Sequence, residues 1–298
     1  MGKVYILNTV YNVTEMFKAK GAALYTSAQG YTVSSGVNRI HFITSLKSQD
    51  NVAVAHVMGK QETNGEVGGQ YSKGRNYGHA NDCAYYDSVF FIVQGGGKKV
   101  NSNEDDDEKG RQIIRLNNSL KELDPYNYNP LPKNSKKIYD KVEEFKTITG
   151  IAHISGKYFA LCCGMGVSIC ELNKSAKTMQ EISRFKLSGV HNNLSRSGCE
   201  LTGQGIYCTN SKLYKAFSYR DSSGAIRQND IGVFKFDSTT PSQITKASLT
   251  ASYSCDQTKK DLFEIESLGS PDGGTTMYML ANVDENGAKD KLYQVSFS

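Results

Sequence analysis

Three ionisable side chains of this sequence stand beside apolar, strand-like segments and could transfer protons. His79 and Asp82 precede the apolar run that ends at Val93, and Glu266 stands near the start of a similar run close to the C-terminus. A histidine near a carboxylate can titrate close to neutral pH, where general acid–base catalysis operates. We take His79, Asp82 and Glu266 as candidate catalytic residues. The alternative is that the histidine, which lies beside a turn, is structural.

A second set of polar residues could bind a ligand, because each stands just before or within the first strand of a predicted hairpin. The set is Gln29, Asn81, Thr149, Gln204 and Glu264. Polar groups that converge on a concave mouth are typical of ligand sites. Half-buried polar groups also need hydrogen-bond partners, so the same side chains could instead satisfy the backbone of neighbouring strands. The sequence leaves both readings open.

The sequence lacks the motifs that are typical of several other kinds of chemistry. The sequence has no G-x-S-x-G nucleophile motif and no C-x-x-C pair. The glycine run at 95–97 is not followed by the Lys-Ser/Thr of a phosphate-binding loop. We therefore expect no metal site and no cofactor.

The candidate residues recur at matching positions of a repeated unit, at intervals of roughly 50 to 70 residues, around the range typical of propellers. The matching pairs are Gln29-Gly30, Asn81-Asp82, Thr149-Gly150, Gln204-Gly205 and Glu266-Ser267. Each pair stands just before or at a first strand and is followed by a turn and a second strand rich in aromatic or β-branched residues. The repeat thus predicts that the pairs meet in one ring.

Third strands end alike in three units, with alternating apolar residues, then Asn or Asp, then a hydroxyl residue. The endings include Asn117 with Ser119, Asn173 with Ser175, and Asp237 with Thr239. This form predicts a hairpin into a fourth strand. Five units of four antiparallel strands describe an all-β, five-bladed β-propeller. A β-sandwich with coincidental spacing is the alternative.

We expect one domain over residues 1–298, with blades that begin near residues 29, 81, 149, 204 and 264. The last blade lacks a fourth strand, which residues 4–7 could supply, so that an N-terminal strand closes the ring. Loop insertions are predicted at 101–110 and at 124–137, where three of the five prolines fall. Short helices are predicted at 14–20 and 136–145.

The composition fits a soluble globular protein, with 38% hydrophobic and 22% charged residues among 298. No apolar run reaches the roughly 18 residues of a membrane helix. The net charge of +5 is spread thinly, which argues against nucleic-acid binding. Most of the seven cysteines lie in strand-like runs, which favours a reducing, cytoplasmic compartment. A signal peptide removed from the chain would instead make the protein secreted.

Two segments, residues 78–93 and 149–164, resemble blade openings of uncharacterised bacterial propeller proteins. In addition, the runs Thr26-Ser27-Ala28-Gln29-Gly30 and Thr202-Gly203-Gln204-Gly205 are loosely similar to the Thr-Gln-Gly blade openings of plant-type glutaminyl cyclases. The latter family are five-bladed propellers. That resemblance implies cyclisation of an N-terminal glutamine by an acidic residue in the channel.

Three functions follow from these observations. The first is a monomeric binding module that holds a small molecule, glycan or peptide at the channel mouth. The second is an enzyme that uses the channel His, Asp and Glu residues as acid and base, either a cyclase-like transferase or a glycan-active hydrolase or lyase. The third is a protein-interaction scaffold that uses the 124–137 loop.

Overall fold

The computed structural model describes residues 2–19, 27–35, 39–49, 52–63, 66–75, 80–95, 111–189, 200–255, 262–284 and 289–298. Strands make up nearly all of its regular structure. The exceptions in these ranges are helix α1, Val13–Ala19, and a 3-10 turn, Pro241–Gln243. The prediction of an all-β fold is confirmed. No described helix combines the length and apolar character needed to cross a membrane.

Strand β1, Gly2–Asn12, precedes α1, and the remaining strands follow in consecutive groups. The first group is β2 Ser27–Val33, β3 Ile40–Gln49, β4 Val52–Thr63 and β5 Glu66–Arg75. The second is β6 Asp82–Tyr86, β7 Val89–Val93, β8 Gln112–Asn117 and β9 Glu122–Asn129. The third is β10 Gly150–Ser155, β11 Tyr158–Cys163, β12 Gly166–Asn173 and β13 Thr178–Lys186.

The fourth group is β14 Glu200–Cys208, β15 Lys212–Arg220, β16 Ile226–Phe236 and β17 Ala247–Cys255. The last group is β18 Leu262–Gly269, β19 Met277–Asp284 and β20 Lys291–Phe297. Strand β1 pairs antiparallel with β20, from Val4 opposite Phe297 to Asn12 opposite Lys291. The predicted strand at 4–7 therefore lies in β1, next to the last strand of the chain.

Neighbouring strands within each group are antiparallel, and parallel pairs join some of the outer strands. Strand β13 pairs with β9, and β1 pairs with β17, so that two sheets have eight strands and the third has four. Strands β2, β6, β10, β14 and β18 each lie at a sheet edge. They contact one another in chain order, and β18 contacts β2. These barrel-like sheets are consistent with a β-propeller.

The described core divides into five apolar clusters, each of which lies between two consecutive groups. Between the first and second groups, the rings of Phe42 and Phe90 stack at 4.3 Å. Between the last and first groups, Tyr278 meets Tyr31 at 6.1 Å. Burial of one such side chain contributes about 1.5–3 kcal/mol, so the contacts between groups stabilise the whole arrangement.

Two sequence-based assignments differ from the structure. The helix predicted at 136–145 is wrong, because Asp140 and Lys141 have φ values of 54° and 51°, outside the right-handed helical region. The predicted loop 124–137 is a strand in its first part, where β9 pairs with β8 and β13. The predicted insertion at 101–110 lies outside the described residues.

Candidate functional site

The carboxylate of Asp82 connects the first strands of several groups at the centre of the ring. Its Oδ2 accepts hydrogen bonds from the backbone N–H groups of Ile151 and Ile206, each at 3.0 Å. Its Oδ1 lies 2.8 Å from the hydroxyl of Ser267, which is also 3.2 Å from the carbonyl oxygen of Tyr31. Asp82 is fully buried and joins β6 to β10, β14 and β18.

Small residues occupy the same level on the other first strands, as the aligned pairs predict. A Cβ at Gly30 would lie 2.9 Å from the Asp82 Cα, and a Cβ at Gly205 would lie 2.7 Å from the Glu266 carbonyl oxygen. Real Cβ atoms do not approach other atoms so closely, and glycine is the residue that allows close backbone approach. We call this level, formed by Gly30, Asp82, Gly150, Gly205 and Ser267, the central layer.

Burial raises the pKa of Asp82 to about 7, and the hydrogen bonds from Ile206, Ser267 and Ile151 only partly oppose this effect. Desolvation disfavours the charged form of a carboxyl group. Both protonation states can be accommodated. When Asp82 is ionised, the Ser267 hydroxyl donates to it. When Asp82 is protonated, its O–H can donate to Ser267, whose own proton then turns to Tyr31.

The predicted binding residues lie next to the central layer along the first strands, or beside that position. Most of their hydrogen-bond partners belong to the same strand group. Gln29 donates to Ser27 and to the Ala28 carbonyl, and Thr149 donates to the carbonyl of Cys162 at 3.2 Å. Gln204 reaches Glu264 of the next group at 2.6 Å. We call the end of the first strands formed by Gln29, Asn81, Thr149, Gln204, Glu264 and Glu266 the polar mouth.

β-Bulges occur at this level in three of the first strands. The register shifts between Ala28 and Tyr31 in β2, between Gly203 and Ile206 in β14, and between Ile265 and Ser267 in β18. A bulge redirects side chains and is common beside functional sites. The bulges therefore coincide with the polar residues that the repeat had aligned.

Glu264 is held by two donors at the polar mouth. Arg220 Nη2 and Gln204 Nε2 donate to its Oε1 at 2.5 and 2.6 Å. The side chain of Arg220 is 29% exposed and that of Glu264 is 8% exposed, so the pair is largely shielded from solvent. A charge-assisted bond of this kind fixes the carboxylate in position.

Glu266 lies near Glu264 but in a different environment. It is 6% exposed and accepts a hydrogen bond from Asn282. Burial, together with the charges of Glu264 and Asp290, raises the pKa of Glu266 well above its usual range, and Arg220 opposes this only partly. Like charges that share a site cannot all ionise readily, so this environment favours the protonated form of Glu266.

Two buried amide oxygens near the polar mouth have no hydrogen-bond partner among the described residues. They are Oδ1 of Asn81, which packs against Gly95, and Oδ1 of Asn282, whose Nδ2 donates to Glu266. Buried acceptors are normally satisfied, so an unsatisfied one calls for an explanation. A ligand that brings hydroxyl or ammonium donors would supply the missing bonds.

His79 lies outside the described residues. His153 is in β10, where its ring stacks on Tyr86 at 4.6 Å and its Nε2 lies 2.8 Å from the Gly156 carbonyl oxygen. That position is at the turn end of the strand, away from Thr149 at the polar mouth.

Sequence reasoning missed the residues that come from second and later strands. Arg220, Asn282 and Asp290 surround the two glutamates, and the buried Lys215 donates to the Gln204 carbonyl oxygen at 2.9 Å and to the Cys162 thiol at 3.3 Å. The sequence did carry a signal for Lys215, because it is a charged residue in the otherwise apolar interior of strand β15. Such a residue indicates a buried polar contact. Among the described residues, no group of three or more His, Cys, Asp or Glu could hold a metal ion.

No protein-family model matches the sequence, and no curated protein matches it in sequence. Among solved structures, the chain is similar to a glycoside hydrolase, with 9% identity, a TM-score of 0.48 and 95% of each chain covered. It is also similar to a GH43_1 enzyme from Xanthomonas citri, with 10% identity and a TM-score of 0.46, over 92% of this chain and 89% of that one.

A third similar structure is the Nup133 β-propeller domain of Vanderwaltozyma polyspora, with 10% identity and a TM-score of 0.35. The match covers 90% of this chain and 100% of that domain. Similarities this distant do not transfer an activity from one protein to another. We therefore base the proposed function on the residues and contacts of this chain.

Proposed function

We propose that the chain is a single five-bladed propeller whose last blade is completed by β1. The cyclic contacts of the first strands and the apolar cluster between each pair of consecutive groups support this arrangement. Removal of residues 1–8 should expose an edge of β20 and lower the melting temperature well below that of the full chain. An unchanged melting temperature would contradict the proposed closure.

We infer further that the polar mouth is an acid–base site for a glycan or a related hydroxylated molecule. The carrying observation is the pair of glutamates in unequal environments. Burial and the neighbouring carboxylates raise the pKa of Glu266, while Glu264 is held by Arg220 and Gln204. A buried carboxyl group with a raised pKa and a neighbouring carboxylate held by a cation can divide the roles of acid and base between them.

In this proposal Glu266 is the general acid and Glu264 the general base. Glu266 donates its proton to the leaving oxygen as the glycosidic C–O bond breaks. Water adds its oxygen to the sugar carbon and gives a proton to Glu264. Exchange with solvent then returns Glu264 to the carboxylate and Glu266 to the acid, so that one water molecule is consumed for each bond cleaved.

The substrate class follows from the acceptors at the mouth. The oxygens of Asn81 and Asn282, which have no partner among the described residues, need donors. Sugar hydroxyls provide several donors in a small volume. Asp82 is assigned to ring closure, because three hydrogen bonds already engage its carboxylate.

Chromogenic aryl glycosides and a panel of oligosaccharides test this function. We expect product from at least one substrate, and Glu266→Gln should reduce turnover by roughly 100-fold or more, the usual contribution of a general acid. Glu143→Gln removes an exposed carboxylate outside the first strands and serves as the matched control. Turnover that survives Glu266→Gln unchanged would rule out the acid assigned here.

Binding without turnover is the second candidate, favoured by the low exposure of Glu264 and Glu266, each of which is 6% exposed as a whole residue. In that case an oligosaccharide should raise the melting temperature without being cleaved. Asn81→Ala should then abolish this shift while the unliganded protein keeps its own melting temperature. A large loss of stability in that variant, with affinity unchanged, would show that Asn81 is structural.

A further inference from the structure

A cavity of about 510 Å³ opens at the other end of the first strands, where they turn into the second strands. Every first strand, or the turn that follows it, contributes to its lining. We call this end the turn-side mouth and define it by Thr32, Tyr85, His153, Tyr207 and Ser270. Its volume lies within the range of small-molecule sites.

The lining of the turn-side mouth carries no formal charge. None of the described lining residues is Asp, Glu, Lys or Arg. Burial lowers the pKa of His153, so its imidazole is neutral near neutral pH, and burial raises the pKa of Tyr207 to about 12. A charged ligand would lose water here, and no lining side chain offers it an opposite charge; Asp272, which accepts a hydrogen bond from Ser270, is not among the lining residues.

Hydrogen-bonding groups are nevertheless abundant in this cavity. The hydroxyls of Thr32, Thr209, Ser211 and Ser270 and the amide of Asn210 line it. The first strands lie at sheet edges, where backbone N–H and C=O groups are not all used by a neighbouring strand. Donors and acceptors therefore stand on every side of the cavity, which suits a ligand with hydroxyls around its whole perimeter.

Aromatic rings supply the flat surfaces that such a ligand also needs. Tyr85 and Tyr207 are partly exposed, and each combines an apolar ring with a polar tip. Ser270, another lining residue, stands near the Tyr207 hydroxyl. A pyranose has an apolar face and polar edges, and it matches this combination of rings and hydroxyls.

The central layer separates this cavity from the polar mouth. Ile151 and Ile206 both line the cavity, and their N–H groups donate to Asp82 on its inner side. A ligand in the turn-side mouth therefore does not contact Glu264 or Glu266, neither of which lines the cavity.

We propose that the turn-side mouth is a second ligand site, which binds a neutral sugar of one or two rings. Four features of the cavity support the proposal: its size, its uncharged lining, its hydroxyls on all sides and its tyrosine rings. It does not rest on the acid–base chemistry of the polar mouth. Uronic acids and amino sugars of the same size bind poorly, because the site offers their charges no partner.

Calorimetric titration with glucose, galactose and cellobiose tests the site, with glucuronate and glucosamine as the charged analogues. The blocking variant is Asn210→Trp, at an exposed lining position, and the matched control is Ser175→Trp, at an exposed outer turn. We expect a neutral sugar to bind the native chain, Ser175→Trp and Glu266→Gln alike. Its affinity should fall by roughly tenfold or more in Asn210→Trp.

A second blocking variant, Ser211→Phe, covers the case in which Asn210→Trp does not fold, and melting curves establish folding for each protein. The proposal is overturned if no neutral sugar binds, if charged analogues bind equally well, or if both folded blocking variants keep native affinity. Loss of binding in Glu266→Gln alone would also overturn it, because the sugar would then occupy the polar mouth.

Discussion

The two ends of the channel differ in charge although the same strands form both. At the polar mouth, Glu264 and Glu266 stand close together with Arg220 beside them. At the turn-side mouth, the same strand β18 leads to Leu268 and Ser270, and no charged side chain is among the described lining residues. The character of β18 thus changes within a few residues, each of which advances the strand by about 3.3 Å.

This difference shows that position along a strand, more than membership of a group, determines what a residue contributes. Matching positions in different groups stand at one level and share one environment. The central layer is the boundary, since Asp82 with its small neighbours fills the space between the two ends. An exchange of ligands or charges between the mouths would have to disrupt that layer.

The largest expected effect concerns the polar mouth alone. Glu264→Gln removes the proposed base and one of the charges that, in addition to burial, raise the pKa of Glu266. Turnover should fall by roughly 100-fold or more. The pKa of Glu266, followed by NMR titration of its carboxyl carbon, should move down toward its usual range. Sugar binding at the turn-side mouth should not change. A parallel loss of sugar binding there would mean that the two mouths are not separate sites.

A large loss of stability should follow removal of the Asp82 carboxylate, which holds the central layer together. Asp82→Ala leaves the N–H groups of Ile151 and Ile206 without their acceptor, at a cost of about 1–3 kcal/mol for each unsatisfied group. Asp82→Asn should cost much less, because its amide oxygen can accept both bonds and its N–H₂ can donate to Ser267. Urea unfolding measures both, and equal losses would show that the hydrogen bonds of Asp82 do not stabilise the ring.

A smaller effect should appear in the pH dependence of stability. The pKa of Asp82 is about 7 in the folded chain and near 3.8 when unfolded, so the folded state binds the proton more tightly. The stabilisation is fully present below the unfolded pKa and is lost as pH rises toward 7. Glu266 acts with the same sign, since its pKa is also raised.

The contribution of Asp82 to the pH dependence of stability is therefore the difference between the free energies of unfolding of the native chain and of Asp82→Asn, compared at each pH. We expect the free energy of unfolding of the native chain to fall more steeply from pH 4 to pH 7 than that of the variant. The limiting slope for one proton is about 1.4 kcal/mol per pH unit. Identical slopes for the two proteins would mean that Asp82 is already ionised throughout this range.

The sequence predicted the strand groups and the level of the central layer because both depend on local patterns. Alternating apolar residues identify strands, and the aligned pairs identify the residues that meet at the axis, from Gly30 to Ser267. The helix predicted at 136–145 failed because apolar spacing does not reveal backbone conformation, which at Asp140 and Lys141 is left-handed. The contacts of Glu266 could not be predicted from the sequence either, because Asn282 and Asp290 come from other segments of the chain.

The bonds of Asp82 also constrain how the chain can fold. Its partners Ile151, Ile206 and Ser267 are 69, 124 and 185 positions away along the chain. Contacts so distant in sequence carry a high entropic cost of closure and form late. We therefore expect Asp82 to remain hydrated, with a pKa near 3.8, until these distant partners pack around it. Because burial raises the pKa of Asp82 to about 7 in the folded chain, folding near neutral pH takes up part of a proton at this carboxyl group.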